Sequence, residues 1–341
     1  MYLIILIVVI LAGLILFGTL TRHRPEQKTL LLHSDEPTRI TPGEEISLLT
    51  WNIGYAGLGQ DMDFFYDGGK KVRSTKQQTL ENHQAILEFL QSMPQTDFML
   101  LQEVDQRAKR SHYLNTPQAL KEIFSQHWHA FGTNYRVNFV PVPFYAPMGY
   151  VHSGILTTSK PAPILSERIS FPGSYPWPDR LFNLDRCMIL NRYPVSNGKQ
   201  LIVVNTHNSA FDDGSLRLKQ MAFMKEIFLE EYNKGNYVIA GGDWNQCPPG
   251  FEPEFSFNLF DTTDRMDIPE DFLPGWQWAY DPSTPTNRRL KTPYHPASSP
   301  TTLIDFFLLS PNVELIEVQG FHLDFKHSDH NPVLTRVELK N

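Results

Sequence analysis

Residues 46–51, 98–101, 201–204, 237–240 and 303–309 are short runs in which nearly every position is apolar. Runs of this length without alternation predict strands buried on both faces. Residues 79–93 and 215–232 carry the helical period instead, with Leu218, Met221, Met224 and Phe228 on one face of the second and Gly235 placed to stop it. Strands alternating with helices predict an α/β layered fold.

The first twenty residues contain no charge and are long enough, at about 1.5 Å per residue, to cross a hydrocarbon layer of roughly 30 Å. No basic segment precedes them and no small-residue cleavage site follows, so residues 1–20 read as an uncleaved transmembrane anchor rather than a signal peptide. Arg22, Arg24 and Lys28 follow the anchor, a slight bias toward a cytoplasmic catalytic domain that leaves sidedness open. Residues 21–44 are polar and broken by Pro25, Pro37, Pro42 and Gly43, which reads as a tether. No later linker divides the chain, so residues 45–341 are expected to form one domain.

Composition narrows the class only a little. An apolar share of 41% and a charged share of 20% belong to a globular protein. A net charge of −7 provides no general attraction to nucleic acid, though it permits a local basic cleft. Cys187 and Cys247 lack paired C-x-x-C spacing, which argues against a zinc site and leaves one disulfide or two thiols open.

The chemistry gathers where the apolar runs end. Asn52 closes the first, Gln102-Glu103 the second, Asn205-Thr206-His207 the third and Asp243-Trp244-Asn245 the fourth. Asp305 interrupts the fifth, and Ser328-Asp329-His330-Asn331 opens the last segment. Each alone reads equally as a turn, a cap or a satisfied polar group; Asp305 is hardest to dismiss, because a carboxylate in an apolar run needs a partner. Together they predict a cleft, since strand ends on one edge of a sheet converge.

In order and spacing these elements resemble the endonuclease/exonuclease/phosphatase superfamily, the deoxyribonuclease and neutral sphingomyelinase branches included. The resemblance rests on Thr50-Trp51-Asn52, Leu101-Gln102-Glu103, Asn205-Thr206-His207, Gly242-Asp243-Trp244-Asn245, Ile304-Asp305 and Ser328-Asp329-His330. It implies a four-layer α/β sandwich, two central β-sheets flanked by helices, and a Mg²⁺ or Mn²⁺ held by Glu103, Asn52 and Asp329. Hard oxygen donors of this kind suit such an ion. It further implies that Asp243 activates the attacking water, Asn245 holds phosphate or water beside it, and His330, oriented by Asp305, contacts the phosphoryl group. His207 resembles the additional histidine that serves as general acid for the leaving group. Trp244 departs from the phenylalanine that the family often places there.

Substrate class is less legible. A lipid headgroup, a nucleic acid and a small phosphate all fit, and no protein partner is expected. Two apolar loops, residues 139–150 and 171–177, suit either packing or contact with lipid. Arg288, in a basic cluster with Arg289 and Lys291, Arg217 on the helix after His207, and Tyr150 are the candidate substrate contacts. The alternatives to a phosphodiesterase are a phosphatase acting on small or inositol phosphates and a catalytically inactive membrane-tethered binding module.

Overall fold

The computed structural model describes residues 1–210, 212–255 and 265–341. In chain order the helices are α1 (Tyr2–Thr21), α2 (Lys76–Gln91), α3 (Thr116–Ile123) and α4 (Ser215–Asn233). The first eight strands are β1 (Lys28–His33), β2 (Glu45–Asn52), β3 (Phe98–Ala108), β4 (Trp128–Val140), β5 (Gly149–Ser159), β6 (Leu165–Ser170), β7 (Cys187–Pro194) and β8 (Gln200–His207). They are followed by β9 (Tyr237–Asp243), β10 (Gln277–Ala279), β11 (Asn287–Arg288), β12 (Thr301–Thr302), β13 (Asp305–Leu309), β14 (Val313–Gly320) and β15 (Val333–Leu339). One large sheet has the order β1-β6-β7-β8-β9-β13-β10, the second has β14-β15-β2-β3-β5-β4, and β11 and β12 form a separate two-stranded ribbon.

The apolar runs are explained by burial on both sides. In β2, Leu48 packs between the sheets with Leu201, Val203, Ile239 and Phe307. Its neighbour Leu49 points the other way, onto Ile86 and Leu90 of α2. On β8 the same alternation sends Ile202 and Val204 outward to Met221, Met224 and Phe228 of α4. Helix, sheet, sheet and helix are therefore stacked in that order, as the sequence resemblance implied.

Register carries these layers to the site. The two parallel pairs, β2 with β3 and β8 with β9, each cross over through a helix and end at the same edge, where His207 lies opposite Asp243 and Asn52 opposite Gln102. Antiparallel β13 then sets Asp305 opposite Asp243. Gly242 makes the approach of β8 and β9 possible: at φ 152° any Cβ would run into the Thr206 carbonyl oxygen. Gln102 and Asn205 turn out to tie the sheets together, with Gln102 Nε2 donating to Asn205 Oδ1 at 2.8 Å.

Some expectations change. Within the segment read as a tether, Lys28–His33 is an edge strand paired with β6, so the ordered fold begins before residue 45. Leu218 stands 56% exposed, and the buried stripe of α4 runs instead through Leu216, Gln220, Met221, Met224 and Phe228. Cys187 and Cys247 are both free and buried. The apolar loops divide: Val140, Met148 and Phe171 are buried, whereas Phe144, Tyr145 and Trp177 are exposed.

Helix α1 is long and apolar enough to cross a membrane. Its last turn docks on the domain, where buried Gly18 faces Leu181 and Phe182, and Arg22 pairs with Asp185 at 3.1 Å.

The far end of α4 is pinned by charge. Glu231, with a side chain 4% exposed, accepts two bonds of 2.9 Å from Arg192 of β7 and further ones from Lys234 and Asn236. Burial alone would raise its pKa, but these donors outweigh burial and hold it at about 2, below the usual 4.5. Its contribution is therefore complete above about pH 4.5 and disappears as pH falls from there through about 2. Glu231→Gln is expected to destabilise the fold by about 1–3 kcal/mol at neutral pH. Urea titrations of both proteins should show that deficit shrinking below pH 4.5; a deficit unchanged down to that range and below would mean that the charge of Glu231 contributes nothing.

Candidate active site

The strand ends meet in one cleft of about 820 Å³, whose walls include Asn52, Glu103, His207, Asp243, Asn245, Asp329 and His330. Asp243 is its hub. Its Oδ2 accepts from Asn52 Nδ2 at 2.9 Å and lies 3.3 Å from His207 Nε2 and 3.8 Å from His330 Nε2. Its Oδ1 accepts from the Asn245 amide at 3.0 Å, which holds Asn245 in a left-handed turn at φ 51°. The Asn245 side chain donates to the Asn208 carbonyl at 3.0 Å.

His330 is fixed at both ends. Its Nδ1 is 2.7 Å from Asp305 Oδ2, and its Nε2 lies 2.9 Å from the side-chain amide of Asn287, which must turn its oxygen toward the ring when the imidazole is charged. Trp51 Nε1 donates to its carbonyl, and Ser328 Oγ, which accepts from its amide, donates to the Asn52 carbonyl. Burial opposes a charged imidazole here, but the carboxylates of Asp305, Asp243 and Asp329 outweigh it and push the His330 pKa to about 10. His207 goes the other way: burial, then the charges of Arg186, His330 and Arg110, hold it well below the usual range. Its Nδ1 is buried without a partner among the described residues. A neutral His207 is thus a donor to Asp243 and, in the free protein, a poor store of the proton that a general acid must give.

Two further carboxylates of the cleft, Glu103 and Asp329, are candidate donors for a divalent cation. Glu103 sits in a β-bulge at φ 54°, a left-handed geometry that re-aims its side chain into the cleft. No hydrogen bond from the described residues engages its carboxylate. Burial, with the charge of Glu103 adding to it, raises the Asp329 carboxyl to about 7 despite His330. A carboxylate without a partner beside a second one disfavoured in its charged form is a donor set that a hard cation would complete. The Asp243, Asp305 and His330 ligand atoms also lie within 4.8 Å of one another. There, His330 Nδ1 and Asp305 Oδ2 already bond each other at 2.7 Å, and Asp305 Oδ1 is buried without a hydrogen-bond partner among the described residues.

Three expected substrate contacts are placed differently. Arg217 lines the cleft but is engaged by Asp212 at 2.6 Å and by the Asn245 carbonyl at 3.0 Å, so it braces the Asp243–Asn245 turn. Arg288 also lines the cleft but is 1% exposed and clamps the loop after β2 through the Gly59 carbonyl at 2.7 Å, and burial lowers its pKa to about 10. Tyr150 is outside the cleft lining and lies under Arg107.

The cleft also holds residues that the pattern of strand ends did not single out. Asn287 comes from the short strand β11, and Tyr55, 2% exposed at φ 42° with Arg110 3.8 Å over its ring, from an irregular loop. Arg186 directly precedes the apolar start of β7, the same polar-beside-strand signal that marked the other positions.

Among solved structures, the chain is similar to an endonuclease/exonuclease/phosphatase from Beutenbergia cavernae DSM 12333, with 18% identity and a TM-score of 0.54 over 87% of this chain and 72% of that one. It is similar to D. rerio TDP2 complexed with single-strand DNA product, with 16% identity and a TM-score of 0.53 over 86% of this chain and 99% of that one. ANGEL2, a 2',3'-cyclic phosphatase, in complex with adenosine-2',3'-vanadate shares 15% identity and a TM-score of 0.56, covering 87% and 96%. At these identities the likeness concerns the fold. No curated protein sequence matches the chain. The endonuclease/exonuclease/phosphatase family, by contrast, matches over residues 49–330, from the strand ending at Asn52 to His330 itself. The chain therefore belongs to the endonuclease/exonuclease/phosphatase family and carries its phosphoesterase fold.

Proposed function

We propose that this chain is a membrane-anchored, divalent-metal-dependent phosphodiesterase. The observation that carries the reading is the network Asn52–Asp243–His330–Asp305, which faces the unpaired Glu103 carboxylate in one cleft. Glu103, Asn52 and Asp329 would hold Mg²⁺ or Mn²⁺, which when bound would stabilise charge on a phosphoryl oxygen. Asp243, oriented by Asn52 and His207, accepts the proton of the attacking water. Cationic His330 binds phosphoryl oxygens, and Asp305 keeps its ring oriented and charged. Asn245 positions water or phosphate beside Asp243. His207 holds the hub carboxylate and becomes an acid for the leaving group only where a bound anion raises its pKa.

The apolar helix α1 and exposed Phe144, Tyr145 and Trp177 support a substrate presented at a membrane, a phosphodiester in a lipid headgroup. A second reading, hydrolysis of a nucleic-acid or cyclic phosphate ester, draws on the fold shared with TDP2 and ANGEL2.

The test is turnover by the full chain in neutral detergent against phospholipid, nucleic-acid, cyclic-nucleotide and inositol phosphate substrates. Chelation should abolish activity and Mg²⁺ or Mn²⁺ restore it, while Glu103→Gln should raise the metal concentration for half-maximal rate by about tenfold or more. Turnover indifferent to chelator, or no turnover of any phosphoester, would remove the reading.

A further inference from the structure

A second cavity, of about 220 Å³, lies where α1 meets the domain. Arg22 and Arg24 line it from the end of α1, the 170–175 segment forms another side, and Arg186 is contributed from the start of β7. Three guanidinium groups face one carboxylate, Asp185, which Arg22 Nη2 already engages at 3.1 Å. The cavity wall is therefore net positive.

Its hydrogen bonding is also incomplete. Arg186 is only 9% exposed, yet its Nε and Nη1 are buried with no partner among the described residues, and Arg22 Nε is in the same state. Buried guanidinium donors left unbonded carry a desolvation cost that the charge of a nearby anion would offset, and three guanidinium groups gathered on one wall suit the oxygens of a phosphate. The volume falls below the range of about 300–1,000 Å³ typical for larger organic ligands, which suits a compact anion.

We infer that this pocket is a phosphate-binding subsite beside the catalytic cleft. Arg186, Tyr175 and Leu184 line both cavities, so a ligand here shares a wall with the reacting group. Arg22 and Arg24 follow the apolar helix directly, which sets the pocket at the level of lipid headgroups if α1 spans a bilayer. The phosphate can thus come from an anionic phospholipid or from solution. That membrane placement rests on the proposed function; the anion site itself rests only on the arginines.

The experiment uses the full chain in neutral detergent and follows melting temperature as inorganic phosphate replaces chloride at constant ionic strength. Phosphate should stabilise the protein. An Arg22→Gln, Arg24→Gln double variant and, separately, Arg186→Lys should each weaken the apparent affinity by about tenfold. His330→Gln, which removes the cation proposed to bind phosphoryl oxygens in the cleft, should keep the stabilisation, which separates this site from the cleft. Nanodiscs of phosphatidylcholine with or without phosphatidic acid distinguish the source. Stabilisation by phosphatidic acid that the double variant loses identifies a lipid phosphate, and response only to soluble phosphate identifies a free one. No stabilisation by either, or stabilisation lost in His330→Gln or kept in either arginine variant, overturns the proposal. Loss of turnover in the cleft with phosphate binding intact would sink the proposed function alone.

Discussion

Replacing Asp305 with asparagine is expected to lower turnover by about 10²- to 10⁴-fold with little change in fold stability. Asp305 is fully buried as the first residue of β13, and its Oδ2 lies 2.7 Å from His330 Nδ1. Asparagine keeps the shape, so packing against β9 survives. It removes the negative charge nearest the imidazole. That charge is the first of the three that hold His330 protonated against burial, so the ring loses its cationic form and, with an amide nitrogen facing it, its fixed orientation as well. A neutral imidazole stabilises phosphoryl charge far less than a cation does. The loss should fall on kcat more than on KM, and the ¹⁵N resonances of His330 should move from imidazolium to imidazole values. Full turnover in the variant would reduce the Asp305–His330 pair to a structural contact.

Trp244→Ala is expected to be the most damaging single change to stability near the site, costing about 3–5 kcal/mol. The indole is fully buried and stacks on Phe306 with centroids 5.3 Å apart and planes at 5°. Its edge meets Trp278 at 5.7 Å, and its Nε1 donates to the Phe306 carbonyl at 3.0 Å. Alanine would leave a cavity under the backbone that carries Asp243 and Asn245, so melting should fall by on the order of 10 °C and turnover with it. Trp244→Phe would keep the stack and lose one hydrogen bond, a cost of about 1–2 kcal/mol. Calorimetry on the two variants separates the contributions: equal losses would mean that the ring's volume is not what supports the turn.

Both changes act at positions that the sequence marked, and the reason is physical. Strands of a double-layered sheet bury both faces, so residues 46–51, 201–204 and 237–240 are apolar at nearly every position, and a polar residue at their ends stood out. Asn52, Glu103, His207, Asp243 and Asp305 were legible for that reason. Strands with one mixed face were not. β4 and β5 carry Arg136, His152 and Ser153 among their apolar positions, and β1 gave a weak signal because an edge strand between Pro25 and Pro37 is only half-buried.

What the chain determined alone, then, was the alternation of buried strands and covering helices, the apolar first helix, and the polar groups that end the central strands. The tertiary structure decided which of those groups share a task. Gln102 and Asn205 look like site residues in sequence but bridge the sheets, while Arg217 and Arg288 brace backbone. Tyr55 and Arg186 enter the cleft from loops and Asn287 from the two-residue β11, and the course of these segments depends on where distant strands end rather than on any local period. Periodicity reports burial, which is local to each element. Partnership depends on register between strands far apart in the chain, and Asp243 meets Asp305 and His330 only once β9, β13 and the segment before β15 are in place.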